Sequence, residues 1–129
     1  MVPPVTTTMT LLVIDDEPLI RELLAEFLKL LGHKADLAAD GREGLARFDP
    51  RLHQAVLTDF LMPGLTGLEV AEAIWARSRT TPIVMISGQA EPEDQRRAVQ
   101  MGLRFLPKPI ILAQFEATMA AIVQPSGAA

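Results

Sequence analysis

The sequence predicts an α/β protein: one domain built on a five-stranded parallel sheet, doubly wound by five helices. Three observations predict it. Five short apolar runs lie along the chain, each followed by an amphipathic segment. The runs are largely unbroken rather than alternating, which is how strands buried on both faces read. The connections are only two to eight residues long, as βα units require, and strict alternation calls for a parallel sheet with helices on both sides.

The first run, Leu11-Leu12-Val13-Ile14, ends on the acids Asp15, Asp16 and Glu17. Leu19/Ile20, Leu23/Leu24, Phe27/Leu28 and Leu30/Leu31 then recur at helical spacing, with Glu22, Glu26 and Lys29 on the opposite face. That is an amphipathic helix with Asp16 as its expected cap, Pro18 in its first turn and Gly32 as its stop. Lys34–Ala38 is a short second strand. Asp40 and Glu43 form a capping-box-like start to a short helix that ends near Asp49-Pro50.

Ala55–Thr58 is the third strand and runs into Asp59; Met62-Pro63-Gly64 is a turn. Thr66 and Glu69 open a third helix, to about Ser78. Pro82–Ile86 is the fourth strand, closed by Ser87-Gly88. Pro92 starts a helix to about Met101, Leu103–Leu106 is the fifth strand, and Ile110–Val123 is the last helix, with Ile111, Phe115, Met119 and Ile122 on one side. The domain therefore spans residues 10–123. Residues 1–9, with two prolines and a threonine run, read as a flexible leader, and 124–129 as a tail or the start of a linker.

Composition narrows the function classes. In 129 residues, 49% are hydrophobic and 22% charged, which suits a packed domain rather than a disordered chain. The absence of cysteine excludes a disulfide framework, a thiolate zinc site and a cysteine nucleophile. No apolar stretch is long enough to span a membrane, and no basic residue precedes Arg21, so a cytoplasmic protein is expected. A net charge of −4 argues against a whole-domain nucleic-acid footprint. Arg96, Arg97 and Arg104 read as a solvated face balanced by Glu91, Glu93 and Asp94. His33 and His53 are expected at the surface or in turns, and Trp75 in packing.

Ligands of open α/β sheets bind outside the strand carboxyl ends, at the point where strand order reverses. With strands in the order 2-1-3-4-5, that edge receives Asp15, Asp16 and Glu17 from strand one, Asp59 from strand three, Ser87 from strand four and Lys108 just after strand five. Asp15, Asp16 and Asp59 cannot all ionise at close range without a counter-ion. All-oxygen ligands favour Mg²⁺ over zinc. Lys108 supplies a point charge for an anion and Ser87 a hydroxyl donor. Such a set suits phosphoryl transfer with a carboxylate as nucleophile, and Asp59, alone on its strand end, is the candidate. Pro107 and Pro109 restrict the backbone around Lys108, and a cis Lys108–Pro109 bond would suit a pinned lysine.

Four motifs carry a resemblance: Val13-Ile14-Asp15-Asp16-Glu17-Pro18, Leu57-Thr58-Asp59-Phe60-Leu61-Met62-Pro63-Gly64, Val84-Met85-Ile86-Ser87-Gly88 and Phe105-Leu106-Pro107-Lys108-Pro109. In order and at these intervals, they make the chain resemble a response-regulator receiver domain of two-component, His–Asp phosphorelay signalling. The resemblance implies a flavodoxin-like fold. It also implies a Mg²⁺-dependent switch that takes a phosphoryl group from a histidine kinase or histidine phosphotransfer domain and loses it slowly.

Carried over position by position, the resemblance makes Asp59 the phosphoacceptor, Ser87 the switch hydroxyl and Lys108 the phosphoryl-contacting lysine. Asp15, Asp16, Asp59 and the Leu61 carbonyl would hold the metal, and Phe105 would be the aromatic that follows Ser87 inward. Such a domain catalyses its own phosphorylation and dephosphorylation and turns over no external substrate. Its output would run through the surface of helix four, strand five and helix five, to a downstream protein or an attached output domain. Homodimerisation on phosphorylation is a further outcome, and no nucleic acid or membrane is bound directly.

Two other classes compete with this reading. An aspartate-nucleophile phosphatase would carry Asp-x-Asp after strand one, where this chain has Glu17 two residues past Asp15. A phosphorylation-independent interaction module would not need the full set of Asp15, Asp16, Asp59, Ser87 and Lys108. Nine leading and six trailing residues leave no room for an output domain, so the expectation is a stand-alone receiver or one cut from a longer regulator or hybrid kinase.

Overall fold

Strands with apolar side chains on both faces must sit inside a sheet covered twice, and the centre of this sheet is built that way. In the computed structural model, which describes residues 8–88 and 91–123, β3 (Ala55–Asp59) and β4 (Ile83–Ser87) are buried at every position. β1 (Thr10–Ile14) is buried at all but its first residue. β2 (Lys34–Ala38) and β5 (Arg104–Pro107) form the more exposed edges. All pairs are parallel, in the order β2-β1-β3-β4-β5. Fold class, strand order and helix count are those the sequence predicts.

Helices α1 (Pro18–Leu30), α2 (Gly41–Arg47), α3 (Gly67–Arg77), α4 (Pro92–Met101) and α5 (Leu112–Val123) follow the strands in turn. Successive strand residues point to opposite faces. Leu11, Val13, Leu57, Val84 and Ile86 pack with Leu24 and Leu28 of α1 and Phe115 and Met119 of α5. Leu12, Ile14, Val56 and Met85 pack with Val70 and Ile74 of α3 and Ala98 of α4, with Phe48 beside them. Right-handed crossovers account for this division. The chain runs outward from β1 to β2, then back across β1 to β3 and on to β5, so α1 lies on one face and α2, α3 and α4 on the other. β1 and β3 are thus neighbours whose connections leave in opposite directions, which opens a crevice at their carboxyl ends.

Several local expectations change. The cap of α1 is Glu17, not Asp16, and its side chain makes no capping bond. Pro18 has no N–H to be capped, and the backbone N–H of Glu17 is held instead by Asp15 Oδ1 at 2.8 Å. The other two caps are as expected: Asp40 accepts from the Glu43 N–H, and Thr66 and Glu69 form a complete capping box. The last helix begins at Leu112, so Ile111 lies outside it and is half exposed, whereas Phe115 and Met119 do enter the core.

His33 and His53 are buried, against expectation, because each ring is used as a polar tie. His33 Nδ1 accepts the Met9 N–H at 3.0 Å, and burial lowers its pKa. His53 Nδ1 accepts the Asp49 N–H at 3.1 Å, while its Nε2 lies 2.7 Å from Asp36 Oδ2 on β2. The His33 tie draws Met9, read from sequence as the end of the leader, into the core. The rest of that leader, 1–7, and the tail 124–129 lie outside the described residues. Trp75 packs on the α3 side of the core as expected, its Nε1 donating to the Thr81 carbonyl at 2.8 Å.

Gly67 brings α3 against the end of β3. Its N–H donates to the Phe60 carbonyl at 2.8 Å, and a Cβ there would lie 2.5 Å from both the Asp59 carbonyl oxygen and Met85 Sδ. Gly67→Ala should therefore lower unfolding stability by about 1–3 kcal/mol through overpacking. A denaturant midpoint equal to wild type would contradict this account of the contact.

Candidate functional site

Four of the five strand ends, those of β1, β3, β4 and β5, each deliver one part of the site. Asp15 follows β1 directly and is fully buried, with its N–H bonded to the Ala38 carbonyl and its own carbonyl held by Arg21 at 2.7 Å. Asp59 closes β3 and Ser87 closes β4, both buried. Lys108 follows β5; its backbone N–H donates to the Ser87 carbonyl at 3.0 Å, and the Lys108–Pro109 peptide is cis. With Glu17, Leu61 and Gly88, the residues Asp59, Ser87 and Lys108 line a cleft of about 260 Å³, at the small end for organic-ligand pockets.

Charge organises the cleft. Lys108 Nζ lies 3.2 Å from Glu17 Oε1 and 3.5 Å from both Asp15 Oδ2 and Asp59 Oδ1. One ammonium thus faces three carboxylates, and burial together with this crowding of charge shifts the two buried ones. Burial and then the neighbouring Asp15 charge push the Asp59 pKa up to about 6, against the pull of Lys108. Burial also raises Asp15, with the Glu17 N–H and Lys108 working the other way. For Lys108, burial acts downward, but Asp15, Asp59 and Glu17 together outweigh it and raise its pKa.

These residues fit a hard cation. Ligand oxygens of Asp15, Glu17 and Asp59 lie within 4.8 Å of one another. Asp15 Oδ2 is buried and lacks a hydrogen-bond partner, since Lys108 is at ion-pair distance only. An all-oxygen set with surplus negative charge and an orphaned buried oxygen suits Mg²⁺. The cluster is positioned to coordinate a divalent metal of that kind.

The site residues read from sequence are mostly brought together: Asp15, Asp59, Ser87 and Lys108 share the edge. Asp16 is exposed and stands outside the three-carboxylate cluster, although its charge reaches Asp15 and Asp59. Leu61 is half exposed on the cleft rim. Phe105 lies on β5 beside Met85, half buried on the α3–α4 side of the sheet. Two participants escaped the sequence reading. The sequence places Glu17 on this edge but does not pair it with Lys108, because that contact depends on side-chain reach across the cleft. Gly88, 3.3 Å from the Lys108 Cβ when a Cβ is built on it, keeps that wall low; its place after Ser87 was the available signal.

Comparison with known proteins agrees with this geometry. The family model described as "Response regulator receiver domain" matches residues 11–120. The transcriptional regulatory protein TcrA of Mycobacterium tuberculosis is 33% identical over 113 residues, 87% of this chain and 45% of that protein. The sensor histidine kinase RcsC of Salmonella typhi is 33% identical over 113 residues, 87% of this chain and 12% of its own length. The chain therefore spans half or less of such curated relatives. The chemotaxis protein CheY4 of Vibrio cholerae superposes with a TM-score of 0.82 at 28% identity, covering 91% of this chain and all of that one.

The raised Asp59 pKa has a consequence with a definite sign. The folded chain without metal keeps that proton to about pH 6, whereas an ordinary aspartate loses it near 3.8. The folded state therefore binds more protons in that interval, and the contribution to stability is lost as pH rises through about 6. Asp59→Asn should be more stable than wild type at pH 8 without metal, by about 1–3 kcal/mol. Mg²⁺ should raise the wild-type melting temperature more at pH 8 than at pH 5, because its ligands must be deprotonated. Equal metal-induced shifts at the two pH values would refute the assignment.

Proposed function

Because the chain belongs to the response-regulator receiver family, we propose that Asp59 accepts a phosphoryl group from a phosphohistidine and that the domain works as the switch this sets. The acidic cluster and Lys108 form a receiver-domain active site, consistent with phosphoryl-accepting, conformational-switch function. The observation that carries the proposal is Asp59 itself, a buried carboxylate at the end of β3, 3.5 Å from the ammonium of Lys108 and within the three-acid cluster.

In the forward step an Asp59 oxygen attacks phosphorus and the bond to the donor's imidazole nitrogen breaks. The departing nitrogen keeps the electron pair and takes a proton from solvent. Lys108 and the Ser87 hydroxyl each face an oxygen of the transferred group, whose reaction depends on position and charge neutralisation more than on covalent help. Asp15 and Asp59 of the acidic cluster would hold Mg²⁺, with the Leu61 carbonyl and the exposed Asp16, which lies outside that cluster, as the further proposed members of the set; the ion would neutralise charge on the carboxylate and phosphoryl oxygens. In the dephosphorylation step water attacks phosphorus and loses a proton to solvent, the bond to Asp59 breaks with its electron pair staying on the carboxylate oxygen, and inorganic phosphate leaves.

The switch follows from strand geometry. Met85 and Ser87 are two residues apart on β4 and share a face, and Phe105 pairs with Met85 from β5. Drawing the Ser87 hydroxyl toward a phosphoryl group vacates space on the face where Phe105 is half buried. Phe105 also lines a shallow groove between α4, β5 and α5 with Val99, Arg104 and Ala117. Its inward movement would reshape that groove, the proposed output surface. Arg104 on that groove is exposed and makes no ion pair among the described residues, which leaves its charge available to a partner there.

Relatives named as a sensor histidine kinase and a transcriptional regulator support a histidine kinase or phosphotransfer protein as donor, and a downstream protein or attached domain as output. The family membership and the absence of a long apolar helix among the described residues support a cytoplasmic setting.

Incubation with Mg²⁺ and a small acyl phosphate should add one phosphoryl group by intact mass, and Asp59→Ala should abolish the gain. Uptake by a folded Asp59→Ala variant would overturn the proposal. Leu61 offers a half-exposed apolar side chain on the cleft rim, where it would hinder the attacking water. The phosphorylated form should be long-lived, and Leu61→Asn should shorten its half-life several-fold; an unchanged half-life would reject that role.

A further inference from the structure

Resting on that reading, we infer that Glu17 is a displaceable counter-ion for Lys108: it occupies the lysine in the resting state and gives it up to the phosphoryl group. Three observations carry this. Among the described residues, Lys108 Nζ makes one hydrogen bond, to Glu17 Oε1 at 3.2 Å; Asp15 and Asp59 are at ion-pair distance only. The Glu17 side chain is 60% exposed, while those of Asp15 and Asp59 are 0% and 8% exposed. Glu17 also lines the same cleft as Asp59, Ser87 and Lys108.

The buried acids are fixed by the strands that carry them, so neither can swing away from the lysine. Glu17 can. Its backbone is pinned by Asp15 Oδ1 and by Pro18 at the start of α1, but its carboxylate sits at the cleft mouth on a flexible stem. A dianionic group on Asp59 enters the cleft that Glu17 lines. Like charges repel, and the dianion is the stronger partner for the ammonium. The Glu17 carboxylate, 60% exposed, regains full hydration as it leaves, and the dianion replaces it beside the 18%-exposed Lys108, so the lysine is not left unpaired. Every anion that engages Lys108 thus competes with Glu17. Glu17 acts through Lys108 and is a positioning residue, not a catalytic one.

The inference separates from a purely metal-binding role for Glu17. A ligand role predicts that Glu17→Gln weakens both Mg²⁺ and any anion that depends on it. A competing counter-ion predicts tighter anion binding once Mg²⁺ is saturating. The test measures beryllium fluoride affinity at saturating Mg²⁺ for wild type, Glu17→Gln and Glu17→Asp, with Mg²⁺ affinity measured separately without fluoride. The expected result is about threefold or more tighter beryllium fluoride binding by Glu17→Gln, with wild-type behaviour largely restored in Glu17→Asp. Unchanged or weaker binding by Glu17→Gln, with wild type binding normally, overturns this inference alone. Failure of the wild type to bind beryllium fluoride overturns the receiver reading and the inference with it.

Discussion

One ammonium set among three carboxylates governs the carboxyl edge of this sheet. Asp15 and Asp59 are buried close together, and burial alone would drive both toward their neutral forms. Lys108, 3.5 Å from each, opposes that shift without cancelling it. The remaining imbalance appears as the raised pKa values of Asp15 and Asp59 and as the buried Asp15 oxygen with no hydrogen-bond partner. A site in this condition gains most from a divalent cation, and after that from an anion that can share the cation and the lysine. The resting cleft is therefore electrostatically unfinished, and its ligands complete it.

The imbalance persists because the fold supplies a rigid frame. A solvated pair of acids would separate. Here β1 and β3 are hydrogen-bonded neighbours with buried residues above and below, so their terminal acids cannot move apart. The two hydrophobic layers hold the strands from opposite faces, and Phe27 and Phe115 join α1 to α5 with ring centroids 5.6 Å apart. Gly67 lets α3 close on the backbone of Asp59 and Phe60. Rigidity ends where the chemistry requires movement. Glu17 and Leu61 lie at the exposed mouth, and Phe105 is half buried on an edge strand. Under the proposed function the fixed groups would bind and the loosely held groups would respond.

That division ties the site to the groove between α4, β5 and α5. Ser87, Met85 and Phe105 lie on one sheet face, in two adjacent strands. A change at the Ser87 hydroxyl therefore meets Phe105 through one intervening side chain. The path is short because β5 carries Phe105 and Lys108 follows the strand directly, three residues on. A single four-residue strand links the positive charge of the site to the aromatic of the groove.

Much of this was legible in the sequence because parallel α/β sheets write themselves plainly. Unbroken apolar runs such as Leu11–Ile14 and Ile83–Ile86 need cover on both faces, and short connections then leave one chirality. The acids after β1, Asp59, Ser87 and Lys108 each close or follow a strand, so chain order alone assigns them to one edge. The sequence by itself thus determined the architecture and the main chemical groups. Tertiary structure decided what depends on distance between segments far apart in the chain. It placed Glu17 rather than Asp16 in the three-carboxylate cluster, 3.2 Å from an ammonium that lies 91 residues away in the chain. It buried His33 and His53, because the N–H groups of Met9 and Asp49 and the Asp36 carboxylate stand where the rings can meet them. Periodicity records which face a residue takes; it does not record which charge waits on the other side.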